Sequence, residues 1–167
     1  INSLELLQST TQTRQAANAL IQVLQYLAEP ASVRKLVQVF RLWNRSDRLN
    51  REARERLERW ATALRKIVRL EDFISPGPDR DWLAEIAPQA PADILERLER
   101  FRRQITRWQE ACLLPPDQLL LTISQELFQE PANLALSYKL AGLLRRATSD
   151  HPDWRLPNLI NELVLIS

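Results

Sequence analysis

Glycine is nearly absent: Gly77 and Gly142 are the only two in the chain. A phosphate-cradling loop, a dinucleotide-binding fingerprint or a hairpin-rich sandwich is built on glycines in fixed places, so all three are nearly ruled out. The single cysteine, Cys112, excludes internal disulfides and cysteine-based zinc sites. The single histidine, His151, excludes multi-histidine metal centres. No apolar run approaches ~18 residues, so no membrane span is expected. No charged-then-apolar leader opens the sequence, which points to a cytoplasmic protein rather than a secreted one. Methionine is missing altogether, and the last residues, Leu163-Val164-Leu165-Ile166-Ser167, are an apolar helical pattern. Together these predict an excised piece of a larger protein.

What is present describes an ordinary globular chain. Its 167 residues are 45% hydrophobic and 26% charged, enough for one domain over 1–167 with a real core. Proline punctuates segments of helical periodicity. Apolar residues recur at Ala16, Leu20, Val23 or Leu24, and Leu27 within 11–29, and Pro30 stops that helix by removing a donor. Ser32 is placed to cap a second helix through Trp43. A third is predicted over 47–70, a turn or short loop over 71–78, a short helix over 81–86 and a long one over 91–113. Pro116, Pro131 and Pro157 then open helices over 116–128, 131–149 and 157 to the end, with 151–157 as an extended connector. The expected fold is all-α, a compact domain of about seven to eight helices with no sheet.

Nothing in the chain resembles a catalytic constellation. The carboxylates sit beside arginines at helical ion-pair spacing: Asp47–Arg51, Arg48–Glu52, Glu52–Arg56, Arg54–Glu58, Glu55–Arg59, Glu96–Arg100 and Glu99–Arg103. Pairs of this kind contribute roughly 0.2–0.5 kcal/mol each on a helix and read as solvated faces. His151 could be a lone ligand or base, but before a proline in a connector it reads more simply as a surface or capping imidazole. Cys112 falls on the apolar face of its predicted helix and reads as a buried, inert thiol. Ser9, Thr10, Thr11 and Thr13 read as helix-initiating hydroxyls. Trp43, Trp60 and Trp108 lie in register with apolar faces. Trp82 and Trp154, in short or connecting segments, could stack on a base or partner, or pin their own loops. No catalytic, cofactor-binding or metal-ligating residue is therefore assigned.

The cations are the one feature with a possible ligand. Twenty arginines and three lysines oppose 21 acids, for a net charge of +2, a total that does not by itself predict nucleic-acid binding. The bias is local as well as global. Arg41, Arg45, Arg48, Arg51, Arg54, Arg56 and Arg59 crowd 19 residues with only four acids among them. Arg41, Arg45 and Arg48 precede most of those acids and are the least neutralised by local spacing. With Arg51 they form the candidate nucleic-acid-binding set, because arginine presents a planar fork to phosphate oxygens. Arg100, Arg103 and Arg107 make a second stripe, and Arg145 with Arg146 a third. The competing reading is an arginine-rich solvated face.

Three stretches carry a family likeness. They are Leu113-Leu114-Pro115-Pro116-Asp117-Gln118-Leu119-Leu120-Leu121-Thr122 with Gln125-Glu126-Leu127-Phe128; Leu134-Ala135-Leu136 with Lys139-Leu140-Ala141 and Leu144-Arg145; and His151-Pro152-Asp153-Trp154-Arg155-Leu156-Pro157. In this order they resemble the middle of UvrD/Rep/PcrA-like superfamily 1 DNA helicases, in a cyanobacterial-looking branch. Ser9-Thr10-Thr11-Gln12-Thr13-Arg14 and Gln25-Tyr26-Leu27-Ala28 resemble the passage just after motif IV of that family. The resemblance implies the helical 2B insertion between motifs IV and V, an accessory subdomain that contacts DNA and regulates unwinding by its orientation. It implies ATP and magnesium for the parent protein but none for this piece. It implies as partners a DNA duplex or duplex–single-strand junction and the motor domains of the same chain, with no membrane. Better-known relatives touch duplex through a Gly-Ile-Gly turn, and neither Gly77 nor Gly142 lies in one, so no contact residue carries over. The alternative is a helical protein-interaction module of a larger protein with no nucleic-acid role.

Overall fold

The computed structural model describes residues 11–45, 47 and 49–166. Among these the chain is all-helical, with nine helical segments and no strand. They are α1 (Thr11–Ala28), α2 (Val33–Arg45), α3 (Arg51–Arg65), α4 (Glu71–Ile74), α5 (Trp82–Ile86), α6 (Ala92–Ala111), α7 (Pro116–Leu127), α8 (Pro131–Asp150) and α9 (Leu156–Ile166). No described helix is long and apolar enough to cross a membrane. The expected all-α class holds. The added segment is the single turn α4, within a stretch whose sequence suggested only a turn or loop.

Local chemistry sets the helix ends. The Ser32 hydroxyl accepts the Lys35 N–H at 3.3 Å, as expected of a cap at the start of α2. Pro116 and Pro131 occupy first-turn positions of α7 and α8, where a missing N–H costs nothing. The Asp81 carboxylate accepts the Leu83 N–H at 3.1 Å and starts α5. The third helix is shorter than its periodicity suggested. Asn50 caps it, accepting the Ala53 N–H at 2.8 Å, so it begins at Arg51 rather than Asp47. It ends at Arg65, where the Lys66 and Ile67 N–H groups bond back three residues to Ala63 and Leu64. Ile67 and Val68, both β-branched, then leave the helix. The segment 151–157 is not fully extended, since the Trp154 N–H closes a turn onto the His151 carbonyl at 3.0 Å.

Contacts divide the chain into two units. In one, α1 packs against α7, α8 and α9, and α7 packs along α8. Leu20, Leu24, Leu120, Ile123, Leu140, Leu144 and Leu159 are buried there. The other spans Ala31–Glu110 and holds α2 to α6. Its α2 and α3 form an αα-hairpin. The Phe101 ring is the hub of its aromatic core, 4.8 Å from Phe40, 5.3 Å from Trp43 and 6.3 Å from Phe73 between centroids. Trp82 meets Phe73 edge-on at 5.6 Å, so this tryptophan pins its short helix to the core.

Candidate functional site

The spacing of α2 and α3 sets three side chains of one helix opposite three of the other. Arg41, Asn44 and Arg45 recur at three and four residues on α2, and Arg54, Leu57 and Glu58 do the same on α3, so each trio shares a face. The hairpin brings both faces around one open cleft of about 340 Å³ lined by these six residues. Leu57 and Asn44 are buried, whereas Arg45 and Arg54 are exposed.

Two of the four candidate arginines, Arg41 and Arg45, line this cleft. Arg41 is not as unneutralised as its local spacing suggested. Its Nε and Nη2 donate to the two carboxylate oxygens of Glu58 at 3.2 and 2.6 Å, across the hairpin. Glu58 therefore serves Arg41 rather than its helical neighbour Arg54. Arg45 donates through Nε to the Arg41 carbonyl at 3.4 Å and has no carboxylate partner among the described residues. Arg51 is not part of the cleft's lining and donates to Glu55 at 3.3 Å, with its side chain 94% exposed. Arg48 lies outside the described residues, as do Ser9 and Thr10. Arg54 was not among the candidates, yet it lines the cleft with no carboxylate partner among the described residues. A readable signal existed in the paired spacing 41/44/45 and 54/57/58, but only once two helices are known to pair.

Other expected local pairs are replaced by longer-range ones. Arg97 Nε donates to the Asn44 side-chain oxygen at 2.7 Å, and its Nη2 to Asp47 at 2.8 Å, so Asp47 is not held by Arg51. The Arg97 guanidinium also lies 4.8 Å from the Trp43 ring centroid. Arg56 donates to both oxygens of Asp93 at 2.8 Å rather than to Glu52. Arg102 donates to Asp81 at 3.0 Å and to the Phe73 carbonyl at 3.3 Å. In the second stripe Arg107 donates to Gln104 at 3.0 Å, and Arg100 lies 5.9 Å from the Trp43 ring. In the third, Arg145 donates to Asp117 at 3.1 and 3.2 Å. Burial alone raises the Asp117 pKa. Hydrogen bonds from Arg145, Gln118 and its own backbone, with the Arg145 charge, override that and hold it below the usual carboxylate range.

Cys112 is exposed, not buried as its register suggested. α6 ends at Ala111, and Ala111 takes the buried place one residue earlier. Desolvation still pushes the thiol pKa up, which disfavours the nucleophilic thiolate. His151 and Trp154 stack on one another, with centroids 3.9 Å apart and planes 6° from parallel, so Trp154 folds onto its own connector. Among the described residues no group of three or more His, Cys, Asp or Glu could hold a metal ion. No protein-family model, curated protein or solved structure matches the chain.

Proposed function

We propose that this chain is a non-catalytic helical module that contacts the phosphate backbone of DNA, at a duplex or duplex–single-strand junction. The observation that carries this reading is the α2–α3 cleft, where three arginines face a single glutamate. The likeness of the stretches 113–128, 134–145 and 151–157 to superfamily 1 helicases supports a more specific reading, an accessory 2B-type subdomain of a cytoplasmic helicase. Its part in unwinding is then conformational, set by how it is held beside the motor domains of the same polypeptide. In this reading ATP binding and hydrolysis belong to those motor domains.

The test is salt-dependent binding of the 167-residue chain to a labelled duplex–single-strand junction. Three neutralised phosphates give a slope of log K against log salt of about −2.7 on duplex DNA. Changing Arg45, Arg51 and Arg54 together to glutamate is expected to abolish this binding while circular dichroism stays unchanged. A slope near zero, or unchanged affinity in the triple variant, refutes the nucleic-acid reading. The helicase reading has its own check, a GxxxxGK loop followed by Ser or Thr encoded in the same reading frame. The second reading, a protein-interaction module, draws on Leu113 and Leu165, two large apolar side chains exposed at 93% and 81%.

A further inference from the structure

The α2–α3 cleft gathers three arginines and one glutamate. Three arginines line it, but one is already matched: the fork of Arg41 is filled by both oxygens of Glu58. That pair forms a neutral wall. Two exposed guanidiniums remain, Arg45 and Arg54, one from each helix of the hairpin, without a carboxylate partner among the described residues. Arg45 spends its Nε on the Arg41 carbonyl at 3.4 Å, which leaves its two terminal nitrogens, and no other side-chain acceptor in the lining competes. The Asn44 side-chain oxygen is committed to Arg97 at 2.7 Å, and Leu57 offers none.

Two guanidinium charges without a carboxylate, the Arg54 fork and the terminal nitrogens of Arg45, suit two negative charges. A phosphodiester inside a strand carries one charge and two unshared oxygens. A phosphomonoester carries about −1.5 to −2 at neutral pH with three acceptor oxygens, which two planar forks can engage together. Glu58 sharpens the difference, because it cancels the third cation that a run of diesters would use.

We propose that this cleft receives the terminal phosphate of a nucleic-acid strand, held between Arg45 and Arg54 with the Arg41–Glu58 pair as its wall. This rests on the nucleic-acid reading above and narrows it from backbone to strand end. The ligand class is a phosphomonoester dianion, and the strand supplies the rest of the contact.

The experiment compares one labelled oligonucleotide in three forms, with a 5′-phosphate, a 3′-phosphate or hydroxyls at both ends, by fluorescence anisotropy at about 50 mM salt. An added charge-assisted contact predicts about tenfold tighter binding of a phosphorylated form. Arg54→Gln is expected to erase that preference. Arg59→Gln, on the same helix but outside the lining, is expected to keep it. Glu58→Gln frees Arg41, so it is expected to strengthen binding of all three forms and to shrink the difference between them. Equal affinity for the three forms overturns the strand-end inference and leaves the nucleic-acid reading standing. Absence of binding to all three overturns both. A phosphoserine peptide that binds tighter than either phosphorylated oligonucleotide overturns the assignment to a strand end.

Discussion

Removing the Arg97 side chain is expected to be the most damaging single change on the charged surface of the α2–α6 unit. Its side chain is only 13% exposed, and it joins three things at once: the C-terminal turn of α2 through Asn44, the following loop through Asp47, and the Trp43 ring. The contributions differ in size. The bond to Asn44 is charge-assisted and sheltered, and a bond of that kind is worth about 1.5–3 kcal/mol. The Asp47 carboxylate is 45% exposed, so screening limits that ion pair to about 0.5–1 kcal/mol. The guanidinium over Trp43 adds about 0.5–1 kcal/mol. These share one side chain and do not add fully, so Arg97→Ala is expected to cost about 3 kcal/mol in all. Urea denaturation at neutral pH measures it, and a double-mutant cycle with Asp47→Asn isolates the exposed ion pair. Arg97→Lys keeps the charge but loses the fork, so most of the loss should persist. A loss under about 0.5 kcal/mol in Arg97→Ala, the size usual for unremarkable surface positions, would refute this reasoning.

Three further changes test separate parts of the fold. Gly142 sits exposed inside α8, and a methyl group added there meets nothing within 4 Å, so Gly142→Ala should stabilise by about 0.5–1 kcal/mol in thermal or urea unfolding. Asp117 has a lowered pKa, so its contribution to stability is present above the unfolded value of about 3.9 and is lost as pH falls through the folded value. Arg145 is 71% exposed, so Arg145→Gln should cost only about 0.5–1 kcal/mol at neutral pH, with the difference from wild type vanishing in acid; a constant difference from pH 7 to pH 2 would contradict the assignment. Asn50→Ala removes the hydrogen bond to the Ala53 N–H and should cost about 1 kcal/mol, whereas Asn50→Gly should cost only a few tenths. Equal losses in the two variants would mean that the cap is not what starts α3.

The parts legible in the sequence are those that local chemistry decides. Pro30, Ser32, Pro116 and Pro131 mark helix ends because the missing donor or the capping oxygen acts within one turn. The third helix reads too long for the same local reason: apolar spacing continues through Leu49 and Ile67, and the Asn50 cap that cuts it short has no effect on periodicity. The ion pairs between elements are not legible. Arg41 and Glu58 are 17 residues apart, Arg56 and Asp93 37, and Arg97 and Asp47 50. The rule that pairs charges at four residues assigned Glu58 to Arg54 and Asp47 to Arg51, because it knows only one helix. Tertiary packing offered those carboxylates better-sheltered partners on other helices.

That redistribution changes what the arginine richness means. By spacing alone, Arg41 counts as a poorly neutralised cation and Arg54 as a neutralised one, and the folded hairpin reverses the two. Arg56, Arg97 and Arg102 tie helices of their unit to one another or to its loops, using the fork geometry that suits arginine to phosphate. An excess of arginine is therefore consumed first by the fold, and only the remainder is available to a ligand. In the α2–α3 hairpin that remainder includes Arg45 and Arg54, one on each side of the same cleft. Charge reversal at Arg41 would test stability and binding together, because it also leaves Glu58 facing a new carboxylate. Substitution at Arg45 or Arg54 separates them, because each can be removed without unpairing another group's carboxylate.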